Sequence, residues 1–241
     1  MRGTLLNTGA VVVGAGLGVA VGNGVPVAYQ DVALHGIGIV GLGVAIKMFI
    51  GTRNPLIVVA SMAGGGVLGL ALGLHRAVVH LADWSQGYLG GHGNFAAGIV
   101  TSFVLFCVGP MTLLGCLEDG LERKIDILSL KSTMDGITSF FLAAATGAGL
   151  FVTAVLLLVF QGALTLAAKP LRPLAEHPAA LAETTAAGGA VLGMTAFGLL
   201  GVKDFYPTNY LPAIFIAPLL ALGAERFSAR RAGGRRETTS G

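Results

Sequence analysis

The chain is punctuated by uninterrupted apolar blocks about 18–25 residues long, the length a helix needs to cross roughly 30 Å of hydrocarbon. Segments such as VLFCVGPMTLLG at 104–115 and TAVLLLVFQ at 153–161 show no alternation of polarity. A membrane barrel would need strands of about ten residues alternating between lipid-facing and lumen-facing side chains. Helices, which bond every backbone amide within their own segment, are the spanning solution that remains. Composition excludes a soluble domain: 54% of residues are hydrophobic and 11% charged, with a mean hydropathy of +0.80, whereas a soluble chain carries about 25% charge. The expectation is an all-α integral membrane protein.

Blocks and their punctuation predict about seven spans, near 4–22, 31–51, 55–76, 95–117, 136–160, 185–202 and 207–226. The first block lacks a longer cationic leader and an A-x-A site, so it is expected to be retained as helix one. The connector from His75 to His92 holds Trp84 and Tyr88, residues that favour the headgroup level, and is expected on the surface. Pro170, Pro173 and Pro178 break the stretch between Gln161 and Glu183 into an interfacial segment. Glu183 suits a helix N-terminus, while Pro207, Pro212 and Pro218 predict a discontinuous last helix.

An internal repeat is a further possibility. A gap-free shift of 150 aligns 41–73 with 191–223 and returns eight identities, among them LALG at 70–73 and 220–223, and GAGL at 14–17 recurs at 147–150. Residues 1–228 then form one transmembrane domain with a 3+1+3 arrangement, repeats at 4–76 and 136–226 joined by the span at 95–117. A three-helix unit inverts, so a single linking span would restore direction and make the repeats parallel. Independent likeness of glycine-rich helices is the competing explanation.

The net charge of +3 is concentrated in the tail ARRAGGRR. A basic tail after the last span is simpler as a cytoplasmic retention signal and lipid contact than as a nucleic-acid site. Residues 229–241 are expected to be disordered, the C-terminus cytoplasmic and the N-terminus outside. Cys107 and Cys116, nine apart in one expected helix, are about 13 Å apart and on opposite faces, beyond disulfide reach. No cysteine or histidine spacing suits a metal site, and GAGLG at 14–18 is not a dinucleotide fingerprint, since no strand precedes it.

The polar chemistry gathers in one run, GPMTLLGCLEDGLERKIDILSLKSTMDG at 109–136, which holds five carboxylates between two very apolar stretches. Pro110 interrupts the fourth span and frees a carbonyl that must face protein or a wet cavity; Thr112 is within reach of it. Asp119 lies nearest the broken end, beside the permissive Gly120, although a solvated loop with mingled charges explains the same residues. Lys131 and Asp135, four apart, suit an ion pair at a helix entry. Ser139, Thr146 and Thr153 make a hydroxyl stripe that either lines a path or bonds neighbouring backbone. Asn7, Gln161 and Asn209 complete the intramembrane polar set.

FCVGPMTLLGCLEDGL, IDILSLKSTMDGITSFF and LVFQGALTLAA, with TLLNTGAVVVGAGLG near the start and NYLPAIFIAPLL near the end, resemble the DUF554 family of bacterial multi-pass membrane proteins. The likeness covers about residues 3–225. It implies a helical multi-pass fold in a bacterial cytoplasmic (inner) membrane and supplies no substrate. Glu118 before the Asp119–Gly120 pair and the arginine-rich tail depart from the family pattern.

Two functions are weighed. One is a transporter or channel for a small solute or ion, its polar path lined by Asn7, Pro110, Thr112, Asp119, Asp135, Ser139, Gln161 and Asn209. The other is a non-transporting scaffold, in which glycine faces at Gly14/Gly18, Gly64–Gly66/Gly69 and Gly188–Gly189/Gly193 pack helices or join copies into a homo-oligomer. An enzyme is not expected, because no nucleophile–base pair, metal set or phosphate loop is visible, and no cofactor is implied.

Overall fold

A computed structural model describes residues 1–22, 24–89, 95–107 and 109–237. These form helices α1 (Arg2–Gly22), α2 (Val27–Ile50), α3 (Pro55–Ala71), α4 (Leu74–Leu89), α5 (Phe95–Cys107), α6 (Pro110–Leu121), α7 (Asp126–Thr146), α8 (Gly149–Leu166), α9 (Ala168–Glu176), α10 (Pro178–Leu199) and α11 (Ala213–Glu237). A short 3-10 turn, Pro207–Tyr210, precedes α11, and no strand occurs among the described residues. Among the described residues four helices are long and apolar enough to cross a membrane, or six segments if the bent pairs α3–α4 (52°) and α5–α6 (60°) each count as one.

The helices wear their pattern inside out. On α1 the buried stripe is Gly3, Thr4, Asn7, Val11, Gly14, Ala15, Gly18 and Gly22, whereas Leu5, Val13 and Leu17 are about 60% exposed. Lipid solvates leucine as well as a neighbouring helix does, so small and polar residues take the interior. A Cβ at Gly14, Gly18 or Gly22 would run into the backbone oxygens of Gly136, Phe140 and Ala144 respectively. These contacts advance by four residues on both chains, so α1 and α7 lie parallel, backbone on backbone.

The other seams run the opposite way. Gly38 lies against Leu199 and Leu200, Gly41 against Ala196 and Gly189 against Met48, so α2 and α10 are antiparallel. Gly65 meets Ala213 and Gly66 meets Tyr210, making α3 and α11 antiparallel as well. Thr4 pairs with Thr165 while Gly16 faces Phe151, so α1 and α8 are antiparallel. The segments that match in sequence therefore point in opposite directions, which corrects the parallel arrangement: the turns at 51–54 and 201–206 lie at opposite ends of the α2/α10 pair.

Several expected boundaries also move. The span expected at 136–160 is two helices, divided at Gly147, whose φ of 85° is a left-handed conformation that glycine tolerates. Ser139 and Thr146 thus sit on α7 and Thr153 on α8. The surface connector after His75 is helix α4, turned away from α3 at Gly73 (φ 65°), with Trp84 and Tyr88 exposed and their rings 5.0 Å apart. Helix α11 continues to Glu237, into the stretch expected to be disordered. Cys107 and Cys116 are both buried and free, but on either side of the α5–α6 break.

Glu183 does more than open a helix. It lies in the second turn of α10, 1% exposed, and its Oε1 accepts the Arg53 and Asn54 amides at 2.7 and 2.8 Å while Oε2 accepts the Thr52 hydroxyl at 2.6 Å. The carboxylate of one helix thereby satisfies the orphan amides ahead of α3, whose own cap is Asn54 accepting from Leu56 at 3.2 Å. Removing it in Glu183→Ala takes the shared acceptor from three part-buried donors, and hydrogen bonds to a charged group contribute about 1.5–3 kcal/mol each. A melting curve in detergent should fall by several degrees, and Glu183→Gln should recover part of the loss.

Candidate functional site

The polar residues converge at the end of the bundle where α1 and α7 begin and α6 and α8 end. Asp135, 6% exposed, projects from the third turn of α7. Lys131, one turn earlier and 7% exposed, donates to both of its oxygens at 2.8 and 2.7 Å. The expected i,i+4 pair therefore forms, but inside the protein. Charges this dry persist only when paired and hydrogen-bonded.

Asn7 from α1 and Gln161 from α8 complete the centre, both fully buried. Asn7 Nδ2 donates to Asp135 Oδ2 at 3.0 Å and to Gln161 Oε1 at 3.3 Å. Asn7 Oδ1 and Gln161 Nε2 are buried with no hydrogen-bond partner. Buried amide atoms are rarely left so, and these two adjoin the buried ion pair.

Around it lies a second layer. Asp119 on α6 is 3% exposed, accepting the Gly3 amide at 3.0 Å and standing 2.8 Å from the amino-terminal ammonium. Thr4 and Thr165 share a 3.1 Å hydrogen bond between α1 and α8. Glu118 turns elsewhere, accepting the Ile127 amide at 3.3 Å in the first turn of α7. Glu122 and Lys124, 2.7 Å apart and exposed, make up the solvated part of the charged run.

Of the eight residues read from the sequence, the structure brings Asn7, Asp119, Asp135 and Gln161 together at this end. Ser139 lies one turn further along α7, and its hydroxyl donates to Val11 O at 2.9 Å. Thr112 donates to Phe106 O at 3.0 Å, the carbonyl that Pro110 releases by removing its own donor. That opening is closed by the protein itself. Asn209 does not join the group: it caps α4, its Oδ1 accepting the His75 amide at 3.1 Å. The hydroxyl stripe disperses too, Thr146 bonding Leu142 O and Thr153 pairing with Ser102 at 2.7 Å.

Sequence reasoning left Lys131 out of the path set, because a lysine at a helix entry reads as interfacial. Its position one turn before Asp135 was the available signal. Thr4 and Thr165 carry no such mark, since their pairing joins residues 161 apart.

Helices that expose leucine and valine outward, close on glycine and enclose an ion pair with two amides define a polytopic membrane protein with a polar centre. The chain belongs to the family described as protein of unknown function DUF554, whose model matches residues 2–222. It is similar to the uncharacterized membrane protein YdfK of Bacillus subtilis, 28% identical over 234 residues, which cover 95% of this chain and 100% of that one. It is also similar to the uncharacterized protein YqgA of Escherichia coli, 29% identical over 226 residues, covering 91% and 96%. No solved structure matches the chain.

Proposed function

We propose that this protein moves a small solute or ion across the bacterial cytoplasmic membrane, along a path that passes the Asn7–Lys131–Asp135–Gln161 centre. The supporting observation is the pair of unsatisfied amide atoms beside a buried ion pair; ionisable groups held within spanning segments are costly and belong to ion or substrate pathways far more often than to packing. The assembly reading rested on glycine faces, and Gly14, Gly18, Gly65, Gly69 and Gly189 are filled by helices of the same chain. Purified protein in liposomes should carry flux that Gln161→Leu or Asn7→Leu lowers about tenfold or more, a loss near 1.4 kcal/mol, while the protein stays folded. Background flux for a broad panel of ions and small metabolites would sink the proposal.

The same reading favours one orientation. Met1 meets Asp119, Gly120 lies against Thr165 and Ala168, and His177 lies 3.3 Å from Glu225, which draws the start of α1 and the far part of α11 to one end. That end also carries Arg2, Arg53, Arg123, Lys124, Lys169 and Arg172, against Arg76 and Lys203 at the other. We assign this end to the cytoplasm by the positive-inside rule; with α7 and α10 crossing beside the apolar segments of α1, α2, α3, α5–α6, α8 and α11, the proposed arrangement has eight crossings and an N-terminus inside, against the outside N-terminus expected from the sequence. A cysteine at Lys203→Cys should react with an impermeant maleimide in intact cells, and one at Arg53→Cys only after permeabilisation; the reverse pattern would overturn the orientation.

A further inference from the structure

We propose that the ion this centre takes up is a proton, received by Asp135, and that Asn7 and Gln161 form a reversible amide relay serving both charge states of that carboxyl. The inference deepens the transport reading by naming the ion, and rests on that reading for the site's role.

Charge balance comes first. Both Asp135 oxygens are held by the Lys131 ammonium, and Asp119 is held by the amino terminus. A metal cation needs several oxygen ligands in one shell and would have to displace Lys131 to reach the carboxylate. A proton needs one oxygen and no coordination shell. It adds to an Asp135 oxygen from the aqueous phase, forming one O–H bond and leaving a neutral carboxyl; no electrons move.

The amides then account for their own unpaired atoms. With Asp135 ionised, the chain runs in one sense: Asn7 Nδ2 donates to the carboxylate and to Gln161 Oε1, leaving Asn7 Oδ1 and Gln161 Nε2 unused. Once Asp135 carries a proton it becomes a donor and needs an acceptor. Turning both amides over by 180° supplies it: Asn7 Oδ1 accepts from the carboxyl and from Gln161 Nε2. The atoms idle in one state are the atoms engaged in the other, and the number of hydrogen bonds within the chain is conserved. Asparagine and glutamine carry a donor and an acceptor of nearly equal shape, which permits the reversal; a pair chosen only for packing has no reason to be both fully buried and half-satisfied.

The charged and titratable groups facing Asp135 complete the account. Lys131 comes from its own helix and Cys107 from α5, while Cys116 from α6 lies near Lys131 and, on its other side, near Asp119 and the amino terminus. When Asp135 is neutralised, Lys131 is the group left without a counter-ion. Its side chain is 9% exposed, near the end of the bundle, and turning it towards water relieves the uncompensated charge. Proton uptake is thereby coupled to a movement of the Lys131 side chain.

The test is infrared difference spectroscopy of the full chain in lipid as pH is lowered, with and without ¹³C-labelled aspartate. The expected result is a protonated-carboxyl band that shifts with the label and disappears in Asp135→Asn, accompanied at the same midpoint by side-chain amide changes that disappear in Asn7→Leu. Replacing sodium by potassium should leave the spectra unchanged. If Asp135→Asn does not fold, Asp135→Glu should retain a carboxyl band at a shifted frequency. An Asp135 that stays ionised wherever the protein is folded, a carboxyl that titrates while the amide bands stand still, or bands that follow the alkali cation at constant pH would each overturn the proposal. The spectra require no transport, so flux without these bands rejects the proton relay alone, and these bands without flux reject the transport reading alone.

Discussion

Gly18→Leu should abolish the native packing of α1 on α7, lowering the melting temperature in detergent by roughly 6–12 °C or preventing accumulation of folded protein. A Cβ at this position would meet the Phe140 backbone oxygen and come within 2.8 Å of the Ala143 Cβ. Ordinary overpacking costs about 1–3 kcal/mol because side chains can move aside; here the obstacle is another helix's backbone. In a protein of this length about 3 kcal/mol corresponds to roughly 6–12 °C. Gly9 and Gly43, with nothing within 4 Å of a Cβ, are the controls. Gly9→Leu and Gly43→Leu should stay within about 0.5 kcal/mol of the parent, a melting shift of ~2 °C or less. A melt that treats all three glycines alike would refute the close parallel seam.

That contrast indicates what the sequence made legible. Gly14 and Gly18 were readable as a small face because their spacing alone creates a groove, and the membrane class followed from block length. The partner of the groove was not readable: nothing in α1 distinguishes a parallel α7 from an antiparallel neighbour, and polarity hid α7 itself. Asp126, Lys131 and Asp135 made its first turns look like a corner, whereas Lys131 and Asp135 spend their charges inside the protein on one another and on Asn7, and Asp126 alone of the three is exposed. Its later turns, 136–146, read together with α8 as one span, because nothing in the sequence marks the break at Gly147.

The site shows the same division. Lys131 with Asp135 is a local pattern, four residues on one helix, and sequence sufficed. Asn7, Gln161 and Asp119 stood out because amides and carboxylates are expensive in lipid, yet their convergence depends on contacts between residues more than 110 apart. Asn209 and Glu183 are equally polar and instead hold backbone amides at helix starts. Composition cannot tell a cap from a conduit, because both are buried polar groups near a helix end; the difference is whether every atom is satisfied.

Lys131→Met should be among the most damaging single changes in the protein, and adding Asp135→Leu should repair most of the harm to stability. Removing one member of a buried pair leaves an uncompensated charge and costs about 3–5 kcal/mol, while replacing both by apolar groups of similar volume is often neutral. The side chains of Lys131 and Asp135 are only 9% and 8% exposed, so water does little to soften the single change. In the double variant Asn7 Nδ2 keeps its bond to Gln161 and loses only the one to Asp135, a deficit of about 1–3 kcal/mol. The melting temperature should therefore fall sharply in Lys131→Met and return to within several degrees of the parent in the double variant. Stability and function then separate. A pair retained for folding would regain everything when both members are replaced, whereas a pair that carries the transported charge cannot: the double variant should be folded and monodisperse yet have lost at least about tenfold in flux, or 1.4 kcal/mol. Parent-level flux in the double variant would remove Asp135 from the path, because no carboxyl would remain at the centre to hold a proton.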